Sequence, residues 1–306
     1  MFYILFMDLL ERTKEICHLY NINPSRSKGQ NFLVNEKVYN EIVAAANITK
    51  NDTVLEVGPG LGILTAKLAE KAGRFIAVEL DDKLAKYLQD GLANSEVDNI
   101  EVINENILDF DVKNIISSQP KLGTKANFPI FPACRTGRQF SNFKVVATLP
   151  YNITSVFIRK FLTSENKPSE MVLMLQKEVA ERICAKPGDM SLLALGVQFF
   201  AEPEIIAKVP KEDFYPSPQV DSAVIKIKIK KEKRKNMDEK EFFRIAKFGF
   251  SAKRKMLKNN LAGGLHITPA EAENILVKAG FNPKARAEDL SVEDWKKLSQ
   301  LVTHNA

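Results

Sequence analysis

Three short stretches of this chain hold residue types whose spacing could do chemistry. The first is Gly58-Pro59-Gly60-Leu61-Gly62, fed by the apolar run Thr53–Val57 and followed by a helical pattern over 63–70. Glycine lets the backbone reverse sharply and lets a ligand lie against the main chain where a Cβ would otherwise stand. The GxGxG spacing differs from the GxGxxG of dinucleotide-binding turns. The second is Val78-Glu79-Leu80-Asp81, which puts a carboxylate at the carboxyl end of the next apolar run. A carboxylate there can accept hydrogen bonds from both hydroxyls of a ribose. Taken alone, Glu79 reads more naturally as a solvated strand end; one strand away from a glycine turn, the ligand reading is favoured. The third is Thr148-Leu149-Pro150-Tyr151-Asn152-Ile153, directly after the apolar Val145-Val146-Ala147. In isolation it would be a proline turn with a buried tyrosine.

Such residues need a scaffold, and the apolar runs supply one. Strands are expected at Thr53–Val57, Arg74–Glu79, Ile100–Asn104, 144–148, 171–175 and 223–230, with helical patterns after most of them. That order describes βαβ units on a mostly parallel sheet. Residues 117–142 break the rhythm with Pro120, Gly123, Pro129, Pro132 and Gly137 and read as a surface insertion whose Lys121, Lys125, Arg135 and Arg138 suit a surface loop better than the alternative, a contact to RNA. Beyond about residue 235 the strand signals stop, and helices are expected near 239–250, 252–261, 269–279 and 292–301. The expected domains are therefore 1–24 (an N-terminal helix and extension), 25–235 (the α/β domain) and 236–306 (a helical domain). An amphipathic run covers 8–20; Met1 to Phe6 before it reads equally well as an upstream extension or as a frayed helical turn.

Composition narrows the class. The 306 residues are 45% hydrophobic and 27% charged, which excludes disordered and fibrous chains, and no apolar run reaches the ~20 residues of a membrane span. Cys17, Cys134 and Cys184 are far apart and no histidine stands near them at ligand spacing, so neither structural zinc nor a disulfide framework is expected, and a cytoplasmic location fits. The net charge of +6 is unevenly spread: residues 226–258 alone carry +10, leaving the rest of the chain net acidic. Within that stretch Phe242, Phe243, Phe248 and Phe250 interleave with Arg244, Lys247, Lys253, Arg254 and Lys255. This pattern suits a helical platform packed by its phenylalanines that presents cations to a phosphate backbone.

The glycine turn and Glu79 together resemble the Rossmann-like α/β fold of class I S-adenosylmethionine-dependent methyltransferases. Thr148-Leu149-Pro150-Tyr151 is similar to the N/D-P-P-Y/N-L-P-Y motif of enzymes that methylate exocyclic amines. The lone pair of such an amine is delocalised into the ring until acceptors hold its hydrogens. The Leu149-Pro150 turn is suited to aiming main-chain carbonyls at it, and Tyr151 to offering a ring face for a flipped base. Further matches follow in order: Ser27 to Leu33, Gln176 to Arg182, Phe214-Tyr-Pro216-Ser-Pro218-Gln-Val-Asp221-Ser222, Phe250 to Lys255, and Arg286 to Ser291. From about residue 9 to residue 301, apart from 117–142, the chain resembles the ribosomal RNA adenine dimethyltransferases, and among them the small-subunit enzyme.

That resemblance implies a cofactor, S-adenosyl-L-methionine, held by Asn31, Leu33, Gly58, Gly60, Glu79, Asn106 and Thr148. It implies catalytic roles for Thr148, Leu149, Pro150, Tyr151 and Phe214, the last stacking on the target base opposite Tyr151, and RNA binding by Lys253, Arg254 and Lys255. The implied partner is small-subunit rRNA in an immature ribosomal subunit, met by a monomer, with no metal and no membrane. Two positions depart from the family pattern. Asn106 stands where aspartate is usual, and its amide oxygen would accept without charge assistance. Thr148 stands where asparagine is usual; losing one positioned acceptor costs roughly two to four kcal/mol in a barrier, so activity is expected, but slowed. Two other readings stay open: a methylation-impaired RNA-binding factor of ribosome assembly, and a large-subunit rRNA adenine methyltransferase.

Overall fold

The computed structural model describes residues 8–24, 30–93, 95, 97–116, 143–150, 153–230 and 238–305. The extension at 1–7 and the insertion at 117–142 lie outside them.

Two compact units are present, residues 1–180 with 204–229 and residues 181–203 with 230–306. The second takes in a stretch, 181–203, that sequence alone leaves with the α/β domain.

In the first unit the chain runs α1 (Leu9–Leu19), β1 (Phe32–Leu33), α2 (Glu36–Ala46), β2 (Thr53–Val57), α3 (Ile63–Ala69), β3 (Arg74–Glu79), α4 (Asp82–Ala93), β4 (Ile100–Asn104), α5 (Lys113–Ile116), β5 (Phe143–Thr148), α6 (Thr154–Thr163) and β6 (Glu170–Gln176). After α7 (Lys177–Ile183) and α8 (Leu192–Phe200) come β7 (Ala201–Val209), β8 (Phe214–Tyr215) and β9 (Ser222–Ile229). Seven strands form one sheet in the order β4-β3-β2-β5-β6-β9-β7, and β1 pairs with β8 apart from it. The pairs from β4 to β6 are parallel, and β9 runs antiparallel to β6. All five residues of β2 are buried, as a central parallel strand covered on both faces requires. The α/β, Rossmann-like expectation holds, and the six expected strands lie within a residue of their predicted bounds. No helix among the described residues is long and apolar enough to cross a membrane.

Strand order fixes where a ligand can sit. From β2 the chain builds outward through β3 and β4, then returns to lay β5 on the other side of β2. Helices leave opposite faces at that reversal, so a crevice opens beyond the carboxyl ends of β2 and β5. Gly58 directly follows β2, Thr148 ends β5, and their neighbours Val57 and Ala147 pair in register.

The second unit is helical. α9 (Glu239–Gly249) starts at Asp238, whose carboxylate accepts the Lys240 and Glu241 amides, and is followed by α10 (Leu257–Leu265), α11 (Pro269–Lys278) and α12 (Val292–Asn305). Here α8 explains the boundary: Phe199 stacks on Phe242 at 4.3 Å and meets Phe243 at 5.1 Å, so the apolar end of α8 completes this core. Trp295 is fully buried and stacks on Phe250 at 5.4 Å. The second tail helix corrects the expected 252–261, for residues 251–256 form a turn. Asn260 holds it, donating to the Gly249 carbonyl at 2.6 Å and the Ala252 carbonyl at 3.0 Å. The helix then continues through Gly264, where a Cβ would stand 2.2 Å from Phe248. In the Arg286 to Ser291 motif the Glu288 carbonyl takes the Gly188 and Met190 amides, so that match serves folding.

Candidate active site

Positive φ angles of 69°, 58° and 75° at Gly58, Gly60 and Gly62 build the turn between β2 and α3. Two of these glycines also make room: a Cβ on Gly58 would stand 3.2 Å from the Thr148 carbonyl oxygen, and one on Gly60 would stand 3.3 Å from the Phe32 ring. Phe32 belongs to a small apolar cluster with Ile16, Cys17, Ile22, Leu61 and Leu84, through which α1 and the following segment pack on the turn.

Glu79, 7% exposed, ends β3 and braces the turn from the side. One carboxylate oxygen accepts the Gly60 amide at 3.1 Å and the other the Asp81 amide at 3.0 Å. Burial pushes its pKa up; the amides of Asp81, Gly60 and Leu80 pull it down, and Asp81 adds to the rise. Two residues with no role assigned from sequence, Gln30 of the Ser27 to Leu33 match and Asn104, hold this corner. Gln30 donates to the Asp81 carboxylate at 3.0 Å, and Asn104 donates to the Glu79 carbonyl at 3.0 Å. Asn106 follows two residues on. Its side-chain oxygen accepts the Leu108 amide at 3.0 Å, and its carbonyl accepts the amides of Asp109 at 2.9 Å and Phe110 at 3.1 Å.

Across the crevice, the Thr148 hydroxyl donates to the Gly58 carbonyl at 3.0 Å. This bond ties the Thr-Leu-Pro turn to the glycine turn. The Leu149 amide donates to the Met174 carbonyl at 3.1 Å, and the Pro150 carbonyl accepts the Ile153 amide at 3.3 Å. Tyr151 lies outside the described residues. Leu33 and Phe214 are directly paired between β1 and β8, and both are buried, at 3% and 6% exposure. The FxPxP segment is thereby placed beside Asn31-Phe32-Leu33. The Asn31 side-chain oxygen is buried and has no hydrogen-bond partner among the described residues.

Glu56 is the least expected member of this group. It lies fully enclosed in β2, two residues before the glycine turn, and accepts from the Thr65 hydroxyl at 2.5 Å. Burial pushes its pKa to about 8; the Thr65 hydrogen bond opposes the rise and nearby Glu79 adds to it. An acid whose folded pKa is raised from 4.5 to about 8 gives its full stabilisation below pH 4.5, and loses it as the pH rises through 8. Glu56→Gln keeps an acceptor for Thr65 and cannot ionise. Its melting temperature is therefore expected to gain on wild type between pH 5 and pH 8, by an amount on the order of a few kcal/mol in stability. Parallel melting curves across that range would show that Glu56 ionises without penalty.

In the helical unit Lys253, Arg254 and Lys255 are all exposed on the turn between α9 and α10. The basic stretch is not one surface, however. Lys226 is tied in the first unit to Glu170 at 3.1 Å and to the Ala45 carbonyl at 2.7 Å. Lys258 pairs with Glu273 at 2.6 Å, Arg244 pairs with Glu241, and residues 231–237 lie outside the described ones. The cations open to a partner are fewer than the count implies.

Comparison with known proteins bears on this geometry. Residues 22–304 match the family model described as ribosomal RNA adenine dimethylase. The chain is 40% identical over 299 residues to a protein of Dehalococcoides mccartyi named ribosomal RNA small subunit methyltransferase A, covering 97% of this chain and 95% of the relative. A protein of the same name from Clostridioides difficile is 36% identical over 293 residues, covering 95% and 94%. Among solved structures, a dimethyladenosine transferase from Plasmodium falciparum superposes with a TM-score of 0.68 at 24% identity, over 87% of this chain and 95% of that one. A 23S rRNA methyltransferase superposes with a TM-score of 0.65 at 26% identity, over 89% and 100%. The glycine turn, the acidic strand end and the Thr-Leu-Pro turn thus meet at the switch point of a chain that belongs to the ribosomal RNA adenine dimethylases, enzymes that draw their methyl groups from S-adenosylmethionine.

Proposed function

We infer that the chain methylates the exocyclic N6 of two adjacent adenines in a small-subunit rRNA hairpin, giving N6,N6-dimethyladenosine while the subunit is being assembled in the cytoplasm. The observation that carries this reading is the Thr148 to Gly58 hydrogen bond, which joins the acceptor turn for an amine to the backbone turn for a cofactor. The near full-length relatives named for the small subunit support that substrate over the large one. The fold alone does not choose between them, since a 23S rRNA methyltransferase superposes on this chain as well.

The residues present fit S-adenosylmethionine. The glycine cradle has no Cβ, Glu79 offers a second lone pair on each oxygen to a ribose diol, and the buried Asn31 oxygen, which finds no donor among the described residues, can take one from a methionyl ammonium. The Asn106 amide can accept from the adenine amine, and Leu33 packs the wall behind. When bound, the cofactor supplies an electrophilic methyl group on a sulfonium centre. Thr148 accepts one hydrogen of the target amine. Pro150's carbonyl is drawn into the start of α6, so the second acceptor is assigned to the carbonyl of Leu149. Tyr151 and Phe214 supply ring faces for the base, and a base on Phe214 must displace part of the cover that leaves it 6% exposed. Catalysis is then alignment at about 3 to 3.5 Å in a dry crevice. The amine proton becomes acidic once the nitrogen carries positive charge, and no side chain is assigned to remove it.

Labelled methyl transfer into immature small subunits, compared with naked large-subunit RNA, tests the substrate. Label in the small subunit alone is expected. Label in large-subunit RNA alone would overturn the assignment, and RNA binding with no label at all would leave an assembly factor. For the RNA surface, reversing the charge of Lys253, Arg254 and Lys255 together is expected to weaken binding and to flatten the slope of log affinity against log salt by about two to three. Cofactor affinity should stay unchanged. A slope as steep as wild type would place the RNA elsewhere.

A further inference from the structure

The Lys160 ammonium, on α6, donates to three main-chain carbonyls: Ile107 at 3.1 Å, Leu108 at 2.7 Å and Phe110 at 2.6 Å. All three of its protons are spent on one chain reversal. That reversal is the loop leaving β4, and Asn106 stands at its head, with its side-chain oxygen on the Leu108 amide and its carbonyl on the Asp109 and Phe110 amides. The loop therefore wraps a cation: its amides turn inward to Asn106 and its carbonyls converge on Lys160. Burial pulls the Lys160 pKa down, and nearby Asp109, Glu105 and Asp111 oppose that shift without cancelling it. On the other side, α6 is the helix that follows the Thr148-Leu149-Pro150 turn in the chain, and Phe157, Ile158 and Phe161 bury its inner face.

We propose that Lys160 is a positioning residue that fixes the Asn106 turn, and with it the adenine end of the cofactor site, to the helix leading out of the catalytic turn. The proposal rests on the reading of Asn106 as the acceptor for the cofactor's adenine amine. A lysine on an amphipathic helix ordinarily faces solvent, and nothing near it in sequence marks this one as different. Without the ammonium, three carbonyls lose their donor and repel one another, so the reversal opens and the Asn106 amide loses its aim. The ribose and methionyl contacts, held by Glu79, the glycine turn and Asn31, do not pass through Lys160.

The consequence is selective and can be read as a ratio. Calorimetric titration of S-adenosylhomocysteine and of S-inosylhomocysteine, whose purine carries an oxygen in place of the amine, compares ligands that differ only at the adenine end. Wild type is expected to prefer the adenosyl ligand by about tenfold, the scale of one well-placed hydrogen bond. Lys160→Met should lose most of that preference, with adenosyl affinity falling about tenfold and inosyl affinity nearly unchanged. Lys160→Gln, which is one atom shorter and uncharged and so cannot reach the three carbonyls as the ammonium does, serves in its place should the methionine variant not fold, and the same loss of preference is expected. A folded variant that keeps the wild-type ratio, whether or not both affinities fall together, overturns the proposal alone. A wild type with no preference overturns the Asn106 reading and this proposal with it.

Discussion

Glu79→Ala is expected to weaken binding of S-adenosylmethionine, or of its demethylated product, by about a hundredfold while the protein stays folded. Each carboxylate oxygen has two acceptor sites, and the structure fills one of each, with the Gly60 amide at 3.1 Å and the Asp81 amide at 3.0 Å. The sites left over are those a ribose diol needs. Hydrogen bonds to a charged acceptor contribute about 1.5 to 3 kcal/mol each, and a combined loss of about 3 kcal/mol corresponds to roughly a hundredfold in affinity. The alanine variant also leaves the Gly60 amide without its brace, so the glycine turn loosens in the same step. Glu79→Gln separates the two effects only in part. Its carbonyl keeps one bond, but its NH2 must face the amide of Gly60 or Asp81, donor against donor, and at least a tenfold loss is expected. Calorimetry on variants whose melting temperature stays near wild type makes the measurement; undiminished affinity in folded Glu79→Ala would remove Glu79 from the site.

The elements that position this corner were legible because their signals are local. Strands buried on both faces read as unbroken apolar runs, and β2 and β3 ran as expected straight into the glycine turn and the acidic end. Strand β7 was not legible. It carries Pro203 and alternates exposed glutamates with half-buried residues, as the last strand in the sheet order can, and that composition looks like a loop. The start of α10 was missed because Lys253-Arg254-Lys255 suits a helix by propensity, whereas the turn is held by the Asn260 side chain, eleven residues beyond its Gly249 acceptor and eight beyond Ala252.

Within the site, the residues that the motifs named are those placed together: Gly58, Gly60, Glu79 and Thr148 around the switch point, and Leu33 with Phe214 in a separate pair of strands. What the sequence concealed are partners of those residues. Glu56 sits in a strand whose other members are apolar or threonine, and only the enclosure of that strand makes its acid unusual. Gln30, Asn104 and Lys160 act on main-chain or carboxylate groups brought near by folding, across separations that no local pattern encodes.

Thr148→Val is expected to slow methyl transfer by about a hundredfold, while Thr148→Ser stays within a few-fold of wild type. The hydroxyl's hydrogen is committed to the Gly58 carbonyl at 3.0 Å, which leaves the oxygen lone pairs to accept from the target amine. Valine has nearly the same shape and removes only that oxygen, and the loss of one group positioned on developing charge is typically about a hundred- to a thousandfold in rate. An asparagine in this place divides the two tasks, its NH2 donating to Gly58 and its oxygen accepting the amine hydrogen. Threonine performs both with one atom, so Thr148→Asn is expected to raise turnover only modestly. Tyr151→Ala should be far more damaging than the modest change in Thr148→Asn, and comparable to Thr148→Val, because it removes a stacking platform of about 1 to 3 kcal/mol and loosens the near-attack geometry that the acceptors refine. Single-turnover transfer into immature small subunits reads all four variants on one scale. Wild-type rates in Thr148→Val would deny the hydroxyl a place at the reacting amine. An inactive wild type that Thr148→Asn brings to life would mean that the glycine turn and the RNA surface had been kept for assembly, with the chemistry lost at a single side chain.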